Sequence, residues 1–328
     1  MKVFSAVDTV EEVDELVKAG ADEFYCGVLW EDWDRRYPSV PINRRIARAC
    51  NFKSFAELEG CVKIAHSYNV PVSLTINEHC YTEEQYPFLS LYIEKAIDAG
   101  VDSFLISDLA LLLRLKERKV RTPIHISIGG TVYNSETVKF YQNLGASRVT
   151  LPRHITIDEV REIMMNTSNI ETVVFILNSR CPNDDGFCTF MHFPFRDEFS
   201  NNACMLPYSV ELLSAEEDQV KRNAACSRQN LWSRYHMDEV PCGACALYDF
   251  VQMGVSHAKI VGRGNPTWRK VVDIKFIKLL LTLLEDKSIS RERYRQGARA
   301  LYRYTYRFPC RAIMCYYPQV MLQSEILV

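Results

Sequence analysis

Cys181, Cys188, Cys204 and Cys242 follow one another in the spacing Cys-x6-Cys-x15-Cys-x37-Cys. Four thiolates from one stretch of chain are what an iron–sulfur cluster asks of a protein. Zinc is the rival metal, because Cys242-x-x-Cys245 has the form of a zinc knuckle that Cys204 or Cys226 would complete as a tetrahedral site. Cys245 is also an alternate to Cys242 as the fourth cluster ligand. Cys310-x4-Cys315 forms a further pair, read either as approaching the same site or as part of a packed tail.

Other residues suited to chemistry fall where strand-like runs end. Asn77 follows one such run, Asp108 another, and Arg263 a third, while His125 lies two residues before Ser127 on a fourth. Side chains two apart on a strand share a face, so His125 points wherever Ser127 does; an inward imidazole there would transfer protons near neutral pH. Asp108 is the second catalytic candidate, and it also stands where a helix cap belongs. Arg35, Arg44 and Arg45 sit in one basic segment and, with Arg263, are the candidate ligands for an anionic substrate. His79 and His154 read as surface residues. Arg295, Arg299, Arg303 and Arg307 recur every four residues among tyrosines, a pattern that suits either a solvated helix face or a phosphate-binding stripe. Two common hydrolytic signatures, Gly-x-Ser-x-Gly and His-Glu-x-x-His, do not occur.

Stepping out to the whole chain of 328 residues, 48% are hydrophobic and 24% charged, the composition of a globular domain rather than a disordered one. The longest apolar run, Phe276 to Leu284, is interrupted by Lys278 and is far short of the ~20 residues that span a bilayer. No signal-peptide pattern opens the sequence, which gives a cytoplasmic expectation and makes the twelve cysteines thiols or ligands rather than disulfides. A net charge of -2 does not of itself call for nucleic acid.

Eight short β-branched or aromatic runs alternate with helical patterns: Val3 to Val7, Glu23 to Val28, Val70 to Ile76, Ser103 to Ile106, Ile124 to Ile128, Arg148 to Leu151, Thr172 to Leu177 and Ala258 to Val261. Thr9 with Glu12, Ser54 with Glu57, Thr82 with Gln85 and Thr156 with Glu159 have the spacing of capping boxes. Gly20, Gly100, Gly145 and Gly254 stand where helices end. Eight strands alternating with helices predict an α/β fold of the TIM (β/α)8 type, with a doubly wound sheet as the alternative. The barrel is expected over 1–265, including a cysteine loop at 178–243 after strand seven. The last barrel helix and a helical extension are expected over 266–328. The other long connection, Leu29 to Phe52 after strand two, carries the basic segment. Barrel enzymes build their sites on such loops.

Over roughly residues 1 to 265 the chain resembles the peptidase U32 family, also called collagenase-like peptidases. The resemblance rests on Gly20-Ala21-Asp22-Glu23-Phe24-Tyr25-Cys26-Gly27, Asn51-Phe52, Asn134-Ser135, Leu144-Gly145-Ala146-Ser147-Arg148-Val149 and Lys259-Ile260-Val261-Gly262-Arg263. It is most specific in the cysteine loop: Cys181 and Cys188 are seven apart with Gly186 between, Cys204 follows Asn201-Asn202-Ala203, and Cys242 precedes Lys259 by seventeen. Asn178-Ser179-Arg180 stands where the family has His-Gly-Ala, and Val261 where it has Glu. The resemblance implies a 4Fe-4S cluster and oxygen-independent hydroxylation, or a related redox modification, of a small aromatic or nucleobase substrate. It implies prephenate as an anionic oxygen donor, and a homologous partner subunit in some members. RNA is the less favoured substrate. A peptidase with a structural metal site and a noncatalytic subunit of a heterodimeric hydroxylase are the alternatives.

Overall fold

The computed structural model describes residues 1–38, 40–45, 47–179, 181, 183–188, 219–224, 226–227 and 240–321. Eight parallel strands close on themselves in sequence order: β1 (Lys2–Ala6), β2 (Glu23–Cys26), β3 (Val72–Ile76), β4 (Ser103–Ile106), β5 (Ile124–Ile126), β6 (Arg148–Thr150), β7 (Glu171–Leu177) and β8 (His257–Ile260), with β8 pairing back to β1. This is the expected TIM-type barrel, each strand within two residues of its sequence reading.

Around it lie α1 (Val13–Ala19), α2 (Glu31–Arg36), α3 (Phe55–Ser67), α4 (Tyr86–Asp98), α5 (Leu109–Glu117), α6 (Ser135–Asn143), α7 (Ile157–Asn166), α8 (Leu247–Gln252), α9 (Thr267–Leu283) and α10 (Arg291–Tyr306). Gly20 ends α1 with φ of 109°, a left-handed conformation that costs glycine little. Only Thr156 and Glu159 complete a capping box. Ser54 caps Glu57 N–H, but the Glu57 carboxylate accepts from Lys53 N–H instead. At Thr9 and Thr82 only the return half forms, because the helices start later, at Val13 and Tyr86. Glu12 is moreover drawn to Lys270 at 2.7 Å.

The outward faces of the strands and the inner faces of the helices form the main apolar core. Inside the barrel the filling is different. Phe4, Ala6, Tyr25, Leu105 and Val173 make a small separate cluster, and below it lies a charged layer. Arg148 on β6 reaches across the barrel to Glu23 on β2 through two hydrogen bonds of 2.5 and 3.0 Å. Glu23 also accepts from Ser73 at 3.1 Å and stands 3.1 Å from His257 Nε2. Burial raises the Glu23 carboxyl, yet the hydrogen bonds from His257 and Arg148 prevail and hold it well below the usual carboxylate range.

The C-terminal elements complete the ring and then extend it. Helix α9 packs on α1 and β1, and α10 packs on α9. Tyr294, Tyr302 and Tyr306 of α10 are buried, and their hydroxyls donate to Ala244 O, Val240 O and Asp273 respectively. These three tyrosines of the arginine stripe are therefore core, whereas Tyr304 is exposed, and Arg291 and Arg295 pair with Asp249. Among the described residues no helix is long and apolar enough to cross a membrane.

Candidate active site at the barrel mouth

The C-terminal ends of β2, β3 and β8 bring together polar side chains from the loop after β2. Arg263, just past β8, donates from Nη1 to Asn43 Oδ1 and Thr75 Oγ1, each at 3.0 Å. Asn43 is fixed by Asn51 at 3.0 Å, and Asn51 in turn donates to the Arg45 and Ala47 carbonyls. Gly27 at the end of β2 makes this knot fit, since a Cβ there would lie 2.2 Å from Asn51 Oδ1 and 2.5 Å from Arg263 Nη1. Arg45 faces the same space, and burial together with the Arg263 charge pushes its guanidinium down from its ordinary value. Lys259 on β8 lies beneath, its ammonium 4.1 Å from the Tyr25 ring centre. Burial first, then Arg263, Arg153 and Arg148, push Lys259 from its ordinary 10.5 to about 7.

Among the described residues none of Arg45, Arg263 and Lys259 has a carboxylate partner. Three basic side chains with no carboxylate partner among the described residues would suit an anion at this mouth. Sequence reading found Arg45 and Arg263 but missed Lys259, whose signal was a lysine inside an otherwise apolar strand.

Beside the cations stands a thiol pair. Arg44 Nη2 lies 3.3 Å from Cys188 Sγ, and His79 hydrogen-bonds the same sulfur while its Nδ1 lies 3.1 Å from Glu78. Burial raises the Cys188 thiol, but His79 and Arg44 outweigh it and hold the thiol below its ordinary value. His79 is thus part of the mouth, not of the surface. Burial lowers its imidazole, and the hydrogen bonds to Cys188 and Glu78 raise it further than burial depresses it. Cys181 lies near Cys188 and, unlike it, is raised by burial despite Arg153.

The start of the cysteine loop is anchored to the barrel by Asp185, which the sequence does not single out. Asp185 is fully buried and takes three hydrogen bonds from Arg153, at 2.8, 3.0 and 2.6 Å. Gly186 has φ of +91°, and a Cβ on it would meet Thr131 at 2.4 Å, so only glycine fits between the two cysteines. Asn178 and Ser179, at φ of 65° and 51°, are left-handed without being glycine. The Tyr316 hydroxyl from the C-terminal tail donates to both their carbonyls, and Arg153 donates to that of Ser179.

The remaining expected residues take these places. Asn77 donates to Ser127 at 2.8 Å and accepts from Arg44 N–H at 3.4 Å, tying the basic loop to β3 and β5. His125 points inward one layer below Ser127, its Nδ1 buried without a hydrogen bond, and burial followed by the Arg148 charge pushes it down to about 3. Both Asp108 oxygens are occupied, by Leu111 N–H at the start of α5, Tyr81 N–H and the Tyr86 hydroxyl. Arg35 points away from the mouth on α2, 70% exposed and paired with Glu31.

Cys204 lies outside the described residues. Cys242 and Cys245 line a cavity of about 10 Å³ with Cys310 and Cys315, walled by Arg299 and Tyr302. Burial pushes the Cys242 thiol well up and that of Cys245 to about 12, and the neighbouring thiols add to both. Among the described residues no three thiol, imidazole or carboxylate groups converge on one metal position as they stand.

A model of peptidase family U32 matches residues 8–310. Among curated relatives, tRNA hydroxylation protein P of Escherichia coli is 28% identical over 39% of this chain and 29% of its own length. The collagenase of Porphyromonas gingivalis is 26% identical over 69% and 48%, and the 23S rRNA 5-hydroxycytidine C2501 synthase of Escherichia coli is 25% identical over 72% and 34%. The chain thus spans less than half the length of these relatives. The solved U32 peptidase Mk0906 aligns over 54% of this chain and 68% of its own at 17% identity, with a TM-score of 0.43.

Proposed function

Because this chain belongs to peptidase family U32, we propose that it is an iron–sulfur enzyme carrying out oxygen-independent hydroxylation, or a related redox modification, of an aromatic ring, a nucleobase of RNA foremost. Relatives named for tRNA and rRNA hydroxylation favour RNA over a free small molecule. The observation that carries the reading is the mouth itself, where Arg45, Arg263 and Lys259 have no carboxylate partner among the described residues and stand next to the Cys188 thiol. An anionic cosubstrate such as prephenate, or an RNA phosphate, supplies the missing charge.

The thiol chemistry fits a cluster. Cys188 is held below its ordinary value, and Cys181 lies near it on the same anchored turn. Cys181, Cys188 and Cys204 would hold a 4Fe-4S cluster, and spacing gives the fourth corner to Cys242 or Cys245. When bound, such a cluster supplies one-electron chemistry or a Lewis-acidic iron. The chain's own residues do the rest. Arg44, Arg45, Arg263 and Lys259 bind and orient the anion, and Asn77 fixes the loop that presents Arg44. Asp108 positions the His79 segment through Tyr81 N–H. His125, held neutral near pH 7 by burial and the Arg148 charge, would serve as an uncharged hydrogen-bonding group beneath the mouth. An RNA substrate would suit a cytoplasmic location.

A second reading comes from the Cys188–His79–Glu78 line, which has the form of an activated cysteine nucleophile with an oriented base and suits a peptidase. Iron and acid-labile sulfide analysis of protein kept from air separates the two. Expected are a coloured protein, loss of the cluster in Cys181→Ser, and its retention in Cys226→Ser. An iron-free, colourless wild-type chain that cleaves peptides, and loses that activity in Cys188→Ser, would establish the peptidase reading instead.

A further inference from the structure

We propose that the C-terminal half of α10 and the turn after it, carrying Arg303, Tyr304, Arg307, Phe308 and Arg311, form a docking surface for RNA at the rim of the barrel mouth. RNA as the occupant follows from the reading above; the surface follows from the residues that make it. The two halves of α10 treat their arginines differently. In the first half, Arg291 and Arg295 both pair with Asp249. Beyond it, Arg303, Arg307 and Arg311 are exposed, and among the described residues none of the three has a carboxylate partner. The aromatic rings divide in the same way: Tyr294, Tyr302 and Tyr306 are buried, whereas Tyr304 is 69% exposed and Phe308 43%. The Arg307 guanidinium lies 5.0 Å from the centre of the Tyr304 ring.

Exposed cations interleaved with exposed ring faces match a nucleic acid strand, which offers phosphates to the first and bases to the second. An acidic peptide would engage the arginines and leave the rings unused. With a net charge of -2 the chain as a whole does not attract a polyanion, so affinity for RNA has to come from a local surface. Arg307 also stands where a glycine would suit the backbone better. It closes α10 in the left-handed region, with φ of 61°, while its N–H donates to Arg303 O at 3.0 Å. The surface opens at the same end of the barrel as the mouth. The Tyr306 hydroxyl donates to Asp273 Oδ1 at 2.8 Å, and Asp273 Oδ2 accepts from Asn178 Nδ2, directly after β7, at 2.7 Å. Arg269 lies over the Tyr306 ring at 4.8 Å, its Nη2 3.4 Å from Asn178 Oδ1. RNA held on the rim would keep its phosphates on the arginines and offer one base to the mouth.

The test is the fluorescence anisotropy of labelled bulk transfer RNA titrated with the full chain over a range of salt concentrations. Wild type is expected to bind, with affinity falling as salt rises. Joint replacement Arg303→Gln, Arg307→Gln and Arg311→Gln should weaken binding at least roughly tenfold at low salt and make the log–log salt slope shallower by about two to three. Tyr304→Ala should weaken binding about fivefold or more and leave the slope unchanged. Arg307→Gly separates recognition from helix capping: the thermal midpoint is held or raised, while the slope falls by about one. Arg121→Glu, ahead of β5 at the opposite end of the barrel, should bind as wild type does. Unchanged affinity and slope in the triple variant overturn the surface and leave the RNA reading standing. Wild type that binds no RNA overturns both, and polyglutamate bound in its place, then lost in the triple variant, would give the patch to an acidic protein. RNA binding that depends on the three arginines in a protein without iron keeps the surface while the hydroxylase reading fails.

Discussion

Two charged groups, one inside the barrel and one at its mouth, follow opposite rules. In the lower layer every charge is answered: Arg148 meets Glu23 and Glu171, and Glu23 meets His257 and Ser73. In the mouth, Arg45, Arg263 and Lys259 are gathered with no carboxylate partner among the described residues. A buried pair left complete costs the fold little, whereas a set of like charges costs it continuously unless something else supplies the opposite sign. The contrast separates charges that hold the barrel from charges left for the proposed ligand.

The largest expected effect tests the paired layer. Glu23→Ala takes the buried partner from Arg148, leaving it only the half-exposed Glu171, and should lower unfolding stability by about 3–5 kcal/mol in urea titration. An unchanged midpoint would mean that the layer is not the structural one. In the mouth the same kind of change should act on binding instead. Arg263→Met is expected to weaken a dicarboxylate or phosphate by about 1.5–3 kcal/mol, roughly tenfold to a hundredfold by calorimetry, with stability little altered. Gly27→Ala, which would push Arg263 and Asn51 aside, should cost about 1–3 kcal/mol of stability and weaken the anion as well.

A pH titration sharpens the comparison further. Lys259 holds its proton less tightly folded than unfolded, so between pH 7 and 10.5 the empty protein gains stability as pH rises. Anion binding runs the other way and weakens as pH rises through about 7, because the ligand needs the ammonium. Lys259→Met should flatten both slopes. Arg35→Ala gives the smallest effect, within about 0.5 kcal/mol in stability and without change in anion affinity, since its ion pair is exposed.

Strand positions were legible because short apolar runs between helix-ending glycines leave little freedom to a barrel. Helix starts were less so. Thr9 and Thr82 carry the right spacing, yet tertiary partners such as Lys270 claimed the return carboxylate at the first, and both helices begin further on. Arg44, Arg45, Asn77 and Arg263 could be placed at the mouth from their position after strands. Arg35, nine residues before Arg44, could not be told from them, because helix α2 turns it outward, and an exposed helix face leaves no mark in a basic segment. His79 and Asp185 were missed for the opposite reason: their partners, Cys188 and Arg153, are distant in sequence, and a buried ion pair across two loops has no local pattern.

Asn178 and Ser179 hold a conformation that side chains resist by about 1–2 kcal/mol each. What keeps them there is the hydroxyl of Tyr316, more than a hundred residues further along the chain, together with Arg153. The root of the cysteine loop is therefore a cocked spring whose catch belongs to the tail. Trimming the chain before Tyr316 would release the catch, and the thiols beyond it would lose their aim although nothing near them had been touched.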